Sequence, residues 1–180
     1  MTFLTRFPFT IVFVCFFVAN FSLNIYLSTG YHIHDLFQIG AMGPMVEGIP
    51  GSWRVVSHLF VHANFIHFFL NLGIFIYFAA VVEGFARILL VPLFLISGTL
   101  ASFTYLWSEN AVWVGSSGGV FALIGAYIVL YRRFEESYKL RLVNPLVLGC
   151  IVVFTIILQA VFDSFWSAGC HLAGLLLAQL

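Results

Sequence analysis

Side chains able to cleave an acyl bond occur inside apolar stretches of this 180-residue chain. His67 and Asn71 stand four residues apart, Ser117 lies in the run Gly115-Ser116-Ser117-Gly118, and His171 opens the last apolar stretch. A serine hydroxyl becomes a nucleophile when a histidine accepts its proton, and amide or imidazole N–H groups can stabilise the oxyanion that forms. These residue types indicate hydrolysis by a serine nucleophile, provided that the fold brings them together.

The amino-acid composition indicates whether the protein folds in water or in a membrane. Hydrophobic residues make up 62 % of the chain and charged residues 8 %, and the mean hydropathy is +1.08. Soluble domains carry about 25 % charged residues, so we expect an integral membrane protein in contact with the lipid bilayer. Zero net charge and only seven Lys or Arg residues exclude a basic surface for nucleic acid. Polar residues inside membrane spans are costly, which makes each of them a candidate functional residue.

Six apolar stretches are predicted to cross the membrane: residues 8–27, 65–82, 88–106, 117–131, 142–161 and a last stretch that begins near Ala168. A span needs about 20 apolar residues, and at this length only helices satisfy their own backbone hydrogen bonds in lipid. We therefore expect an all-α fold, with one domain over residues 1–180 that is a polytopic bundle of six transmembrane helices. We also expect the sixth span to be cut short at Leu180, because the stretch is too short to cross.

Basic residues lie mainly on one side of this six-span arrangement. Six of the seven Lys and Arg residues fall in the connections on the side of the N-terminus, and only Arg54 falls on the other side. Positively charged connections stay in the cytosol. The N-terminus is therefore expected in the cytoplasm, and an even number of spans puts the C-terminus there too. A bacterial inner membrane is the expected location.

The candidate residues gather at the external ends of three predicted helices. His67 and Asn71 lie near the start of span two, Ser117 opens span four, and His171 opens span six. A helix from Ser117 to Tyr131 rises about 22 Å, against a hydrocarbon core of about 30 Å. We therefore expect Ser117 to lie below the outer membrane surface, in a cavity that water reaches.

Small residues are expected to bring spans four and six together: Gly118, Ala122 and Gly125 on span four, and Gly174 and Ala178 on span six. Such faces allow close approach of two helix backbones. We expect Ser117 Oγ to meet His171, with Phe121 under the imidazole. Because no acidic residue is positioned to orient the histidine, the sequence predicts a Ser–His dyad. Backbone N–H groups at the start of span four, with Asn71 and His67, are suitable oxyanion donors.

At these positions the chain resembles the rhomboid family of intramembrane serine proteases. The resemblance covers the chain from about residue 50 to its end and rests on Trp53-Arg54, Ser57-His58, His62, His67, Asn71, Glu83, the Gly-x-Ser-Gly motif at Gly115 to Gly118, and His171-x-x-Gly174. It implies Ser117 as nucleophile, His171 as base, and His67, Asn71 and the Ser117 N–H as oxyanion hole. It also implies cleavage of transmembrane protein substrates near their external ends, with no cofactor and no metal.

Several other residues receive supporting roles or none. Phe121 stands where many family members have Tyr, and Cys170 stands where Ala is common. Trp53 and Arg54 are expected to anchor the first loop, and His58 and His62 to order it. Ser116 is the variable position of the motif and is assigned no catalytic role.

Rival functions remain open at this point. His58, His62 and His67 suggest a zinc protease, but the H-E-x-x-H motif is absent. A catalytically inactive rhomboid-like protein that binds membrane proteins is the main alternative, although such proteins usually lack the serine or the histidine. Cys15 and Cys150 are expected to be small buried hydrophobic residues.

Overall fold

The computed structural model describes residues 3–27, 33–43, 53–104, 112–134, 148–150, 152–153, 157 and 165–179. Within these ranges the chain is helical apart from turns, bends and one isolated β-bridge. The span expected over residues 142–161 lies largely outside the described residues, as does Leu180.

The first part of the chain forms helices α1 (Phe3–Arg6), α2 (Pro8–Leu27), α3 (Ile33–Gln38), α4 (Arg54–Ser57) and α5 (Phe65–Ala86). A 3₁₀ turn over His58–Phe60 follows α4. The α2 helix has the expected bounds and begins with a proline, which is favoured at the first helical position because its missing N–H would be unpaired there. Asn64 caps α5, since its side-chain oxygen accepts a hydrogen bond from His67 N at 2.8 Å.

The second part forms α6 (Leu90–Ser102), α7 (Ser117–Phe134) and α8 (Phe165–Leu177). A 3₁₀ turn over Arg87–Leu89 separates α5 from α6. Two helical stretches, Pro8–Leu27 and Phe65–Ser102, are long and apolar enough to cross a membrane by length and composition. Among the described helices, α7 packs against α5, α6 and α8 and is therefore central to the bundle.

Aromatic rings fill the core where α2, α5 and α6 meet. Phe13 and Phe17 of α2 lie 5.7 and 5.1 Å from the Phe75 ring of α5, and Phe75 lies 5.2 Å from Phe94 of α6. These pairs are tilted or edge-to-face, which are the favoured geometries for buried rings. On α7 the core includes Leu123 and Tyr127, both fully buried. The middle of α7 therefore packs into this aromatic core.

The first loop packs against the segment that leads into α7. Met42 and Trp113 form the isolated bridge, in which each backbone N–H donates to the other residue's carbonyl. A small apolar cluster surrounds this contact and contains Leu36, Ile39, Ala41, Val61, Val112 and Val114. The approach to the Gly-Ser-Ser-Gly run is therefore held by the first loop.

Glu83 joins α5 to the start of α2 at the opposite end of the bundle. Its buried carboxylate accepts hydrogen bonds from Phe9 N at 2.9 Å, Thr10 N at 2.8 Å and Thr10 Oγ1 at 2.7 Å. Free N–H groups at a helix start need such acceptors. Helix α5 therefore continues past the expected end of span two at residue 82 and finishes at Ala86.

The expectation for two cysteines is wrong. Cys15 and Cys150 are exposed on the described bundle, and Cys170 is buried. In a membrane protein the lipid-facing surface is as apolar as the core, so hydrophobicity alone does not distinguish the two environments.

Candidate active site

The turn before α7 is shaped by a glycine. Gly115 has a φ of +107°, which side-chain-bearing residues rarely adopt, and its N–H donates to His58 O at 2.9 Å. Ser116 follows, and its carbonyl accepts from Val120 N at 2.9 Å. Ser117 is then the first residue of α7 and is half-buried, whereas Ser116 is only 1 % exposed. Of the two serines, Ser117 has the more accessible side chain.

Helices α7 and α8 meet through glycines, as the sequence predicts. A Cβ built on Gly174 would clash with the carbonyl oxygen of Gly118, and one built on Gly125 would clash with that of Leu175. The same Gly125 Cβ would lie 3.1 Å from Ala178 Cβ. Larger residues at Gly174 or Gly125 would force the two helices apart. The close approach brings the first turn of α7 to the helix that carries His171.

The imidazole of His171 stacks on Phe121, with ring centroids 4.3 Å apart and planes 7° apart. Its Nδ1 is buried and has no hydrogen-bond partner among the described residues. Within the same described part, Ser117 Oγ is not hydrogen bonded to His171. Catalytic hydrogen bonds are often long before substrate binds and shorten in the substrate complex.

His67 and Asn71 lie on the first two turns of α5, and His67 contacts the Gly-Ser-Ser-Gly run. A Cβ built on Gly115 would lie 2.7 Å from His67 Cε1 and 2.8 Å from its Nε2, so the ring packs against the turn. Asn71 is 8 % exposed, and its Nδ2 donates to His67 O at 2.9 Å. An amide nitrogen has two N–H groups, which leaves Asn71 a second donor.

His58 and His62 are buried in the segment that leads into α5. His58 Nδ1 lies 2.9 Å from Arg54 O, and its Nε2 lies 2.7 Å from Ser102 Oγ. His62 Nε2 lies 3.4 Å from Ser116 Oγ, and its carbonyl accepts from Asn24 Nδ2 at 2.9 Å. Burial lowers the pKa of His58, and burial together with the nearby His67 lowers the pKa of His62 to about 3. Both rings are therefore neutral at physiological pH.

The contacts of His58 and His62 with serines were not predicted, because neither serine is near its partner in sequence. Their buried hydrogen bonds fit the expected role of ordering the loop. In the described part of the chain, no three His, Cys, Asp or Glu residues form a group that could hold a metal ion.

Trp53 and Arg54 lie at the start of α4. The Arg54 guanidinium carbon is 4.8 Å from the centroid of the Trp53 ring, and its Nη1 donates to the carbonyls of Phe37 and Ala41. Trp53 is 53 % exposed. Arg54 therefore joins two parts of the first loop and has no described contact with Ser117 or His171, as expected for a loop anchor.

A groove of about 590 Å³ lies between α6 and α8. It is lined by Leu100, Ala173, Leu176, Leu177 and Gln179. None of these residues has chemistry suited to hydrolysis, so we assign the groove no part in catalysis.

The described site thus brings a half-buried serine, a buried imidazole stacked on Phe121, and the donors His67 and Asn71 to one end of α5, α7 and α8. The Rhomboid domain family matches residues 50–180, and the chain belongs to the rhomboid family. Members of this family are helical membrane proteins.

Individual relatives are distant. The chain is 28 % identical over 153 residues to rhomboid-related protein 1 of Caenorhabditis elegans, covering 80 % of this chain and 42 % of the relative. It is 26 % identical over 85 residues to the rhomboid protease GlpG of Haemophilus influenzae, covering 47 % of this chain and 44 % of the relative. It is also 26 % identical over 106 residues to inactive RHOMBOID-like protein 8 of Arabidopsis thaliana, covering 58 % of this chain and 29 % of the relative. The chain spans less than half the length of each, and these names include both a protease and an inactive protein.

Proposed function

We propose that this chain is an intramembrane serine endopeptidase that uses Ser117 as nucleophile and His171 as general base. The observation that carries the proposal is the contact between α7 and α8. Gly118 and Gly174 approach closely, and His171 stacks on Phe121, which lies one helical turn after Ser117 on α7. The substrates are transmembrane segments of other membrane proteins.

In this mechanism His171 takes the proton of Ser117 Oγ as the oxygen attacks the substrate carbonyl carbon. The tetrahedral oxyanion accepts hydrogen bonds from the Ser117 backbone N–H, the second N–H of Asn71 and the His67 ring. Protonated His171 then gives its proton to the leaving amine, and the peptide bond breaks. A water molecule, activated by the same imidazole, hydrolyses the acyl-enzyme and releases Ser117.

The membrane arrangement is part of the proposal. We infer six spans with both termini in the cytoplasm, in a bacterial inner membrane. Contacts at one end of the bundle support this orientation, because Arg87 Nη2 donates to Arg6 O at 2.9 Å and Phe85 stacks on Phe134 at 5.5 Å. Arg132 and Arg133 lie in the last turn of α7, so these basic residues lie at the end of the bundle opposite Ser117.

Fusions to alkaline phosphatase, which is active only outside the cytoplasm, test this orientation. Alkaline phosphatase fused after residue 110 should be active, and a fusion after residue 138 should be inactive. The reverse pattern would contradict the orientation.

The activity is tested with purified protein and a panel of single-span substrates. Ser117→Ala should abolish cleavage and labelling by a fluorophosphonate probe, because no other oxygen can occupy the nucleophile position. Ser116→Ala is the matched control, since it removes a neighbouring hydroxyl, and it should still be labelled and keep at least about a tenth of the wild-type cleavage rate. Absence of both cleavage and labelling in the folded wild-type protein would favour the inactive, membrane-protein-binding alternative. Activity that survives Ser117→Ala but not Ser116→Ala would show that the motif has been assigned in the wrong register.

A further inference from the structure

Ser116 and His62 form a second serine–histidine pair beside the proposed dyad. Ser116 Oγ and His62 Nε2 are 3.4 Å apart, and each residue is 1 % exposed. The other ring nitrogen, Nδ1, lies 3.3 Å from the carbonyl oxygen of Phe60. A carbonyl can only accept, so Nδ1 carries the proton and Nε2 is the acceptor. Ser116 is therefore the donor in this pair.

His62 contacts both sides of the proposed oxyanion hole. Ser116 connects it to the turn that bears the Ser117 N–H. Its ring also meets the His67 ring edge to face, with centroids 5.1 Å apart, and His67 in turn packs on Gly115. The hydrogen bond from Asn24 to the His62 carbonyl and the edge contacts of Phe17 and Phe68 fix the imidazole itself.

Accessibility separates this pair from a nucleophile and its base. A substrate carbonyl must reach the attacking oxygen, and Ser116 is enclosed, whereas Ser117 is half-buried. A buried hydroxyl that donates to a fixed, neutral imidazole holds its own backbone in place. The pair therefore fixes the backbone of the turn and takes no part in bond cleavage.

We propose that Ser116 is a positioning residue, whose hydroxyl donates to His62 Nε2 and thereby fixes the Ser117 N–H relative to His67. The inference rests on the proposed protease function, because it assigns the pair to the same oxyanion hole. Loss of the hydroxyl should loosen the turn without removing any group that touches substrate.

The kinetic test compares Ser116→Ala with wild type in the full chain, using a single-span substrate. We expect kcat to fall about two- to tenfold, the range for one neutral hydrogen bond, with KM unchanged. Ser116→Thr keeps the hydroxyl and should recover most of kcat. Ser97→Ala, which removes another buried serine hydroxyl on α6, should leave kcat at the wild-type value. Equal kcat in Ser116→Ala and wild type would overturn the inference.

A second measurement does not depend on activity. NMR of isotope-labelled histidine in the micelle-bound full chain should show His62 protonated at Nδ1, with Nε2 as a hydrogen-bonded acceptor. The Nε2 resonance should shift in Ser116→Ala and return in Ser116→Thr. An unchanged resonance in Ser116→Ala would refute the hydrogen bond even in an inactive protein. A shifted resonance with no cleavage by wild type would retain the contact and reject the proposed function.

Discussion

Asn71 can donate two hydrogen bonds, and one substitution removes both of them. One of its N–H groups holds the His67 carbonyl at 2.9 Å, and the proposal gives the other to the oxyanion. Asn71→Asp keeps the shape but removes both donors. We expect kcat to fall about 10²-fold, as for the loss of one oxyanion donor, with little change in KM.

The control for this prediction is Asn24→Asp, which removes the donor to the His62 carbonyl outside the oxyanion hole. Its effect on kcat should be smaller than that of Asn71→Asp. A wild-type kcat in folded Asn71→Asp protein would reduce Asn71 to a packing role on α5.

Two glycines provide a test of the packing of α7 on α8. A Cβ at Gly174 would meet the Gly118 carbonyl, whereas a Cβ at Gly73 of α5 has no described atom within 4 Å. Gly174→Ala should lower stability by about 1–3 kcal/mol, the usual cost of overpacking, and slow fluorophosphonate labelling of Ser117. Gly73→Ala should leave labelling unchanged and not lower stability, because alanine favours a helix over glycine.

Thermal unfolding in detergent and the rate of labelling are measured on the same preparations. Wild-type values for Gly174→Ala would mean that the glycine contact does not determine the distance between the two helices. A loss of labelling with unchanged melting would instead assign the contact to the site alone.

The sequence predicts the helices better than it predicts their ends. The bounds of α2 were predicted correctly because no charged residue interrupts its apolar run. The end of α5 was missed because Glu83 interrupts hydropathy, while in the fold its charge is balanced by N–H groups of α2. Hydropathy measures transfer to lipid and contains no information on a tertiary partner.

The contacts of the candidate site likewise include some that the sequence predicts and some that it does not. The glycine contact between α7 and α8 and the stacking of Phe121 on His171 follow from spacing along single helices, so they could be predicted. The contacts of His58 with Ser102 and of His62 with Ser116 depend on how a loop folds back on the bundle. Without a regular period in that loop, the sequence carries no signal for them.

The stability of the whole molecule should depend on pH through the buried loop histidines. Burial lowers the pKa of His58, and the pKa of His62 falls to about 3 in the folded protein, against about 6.5 in an unfolded chain. Between the folded and unfolded pKa values of His62, about 3 and about 6.5, the unfolded state binds more protons than the folded state. Stability is therefore at its full value above pH 6.5 or so and is lost as pH falls toward the folded pKa values.

For His62 alone, acidification from about pH 7 to about pH 5 should lower the free energy of unfolding by roughly 2 kcal/mol. Each pH unit below the pKa of the unfolded state costs about 1.4 kcal/mol until the pKa of the folded state is reached. The measurement is unfolding of the micelle-bound protein over this range, for wild type and His62→Asn. Asparagine does not titrate, so the variant should have lower stability at neutral pH but a shallower loss on acidification. Parallel curves for the two proteins would mean that His62 is not held neutral by the fold, because a neutral, buried imidazole must contribute to the slope.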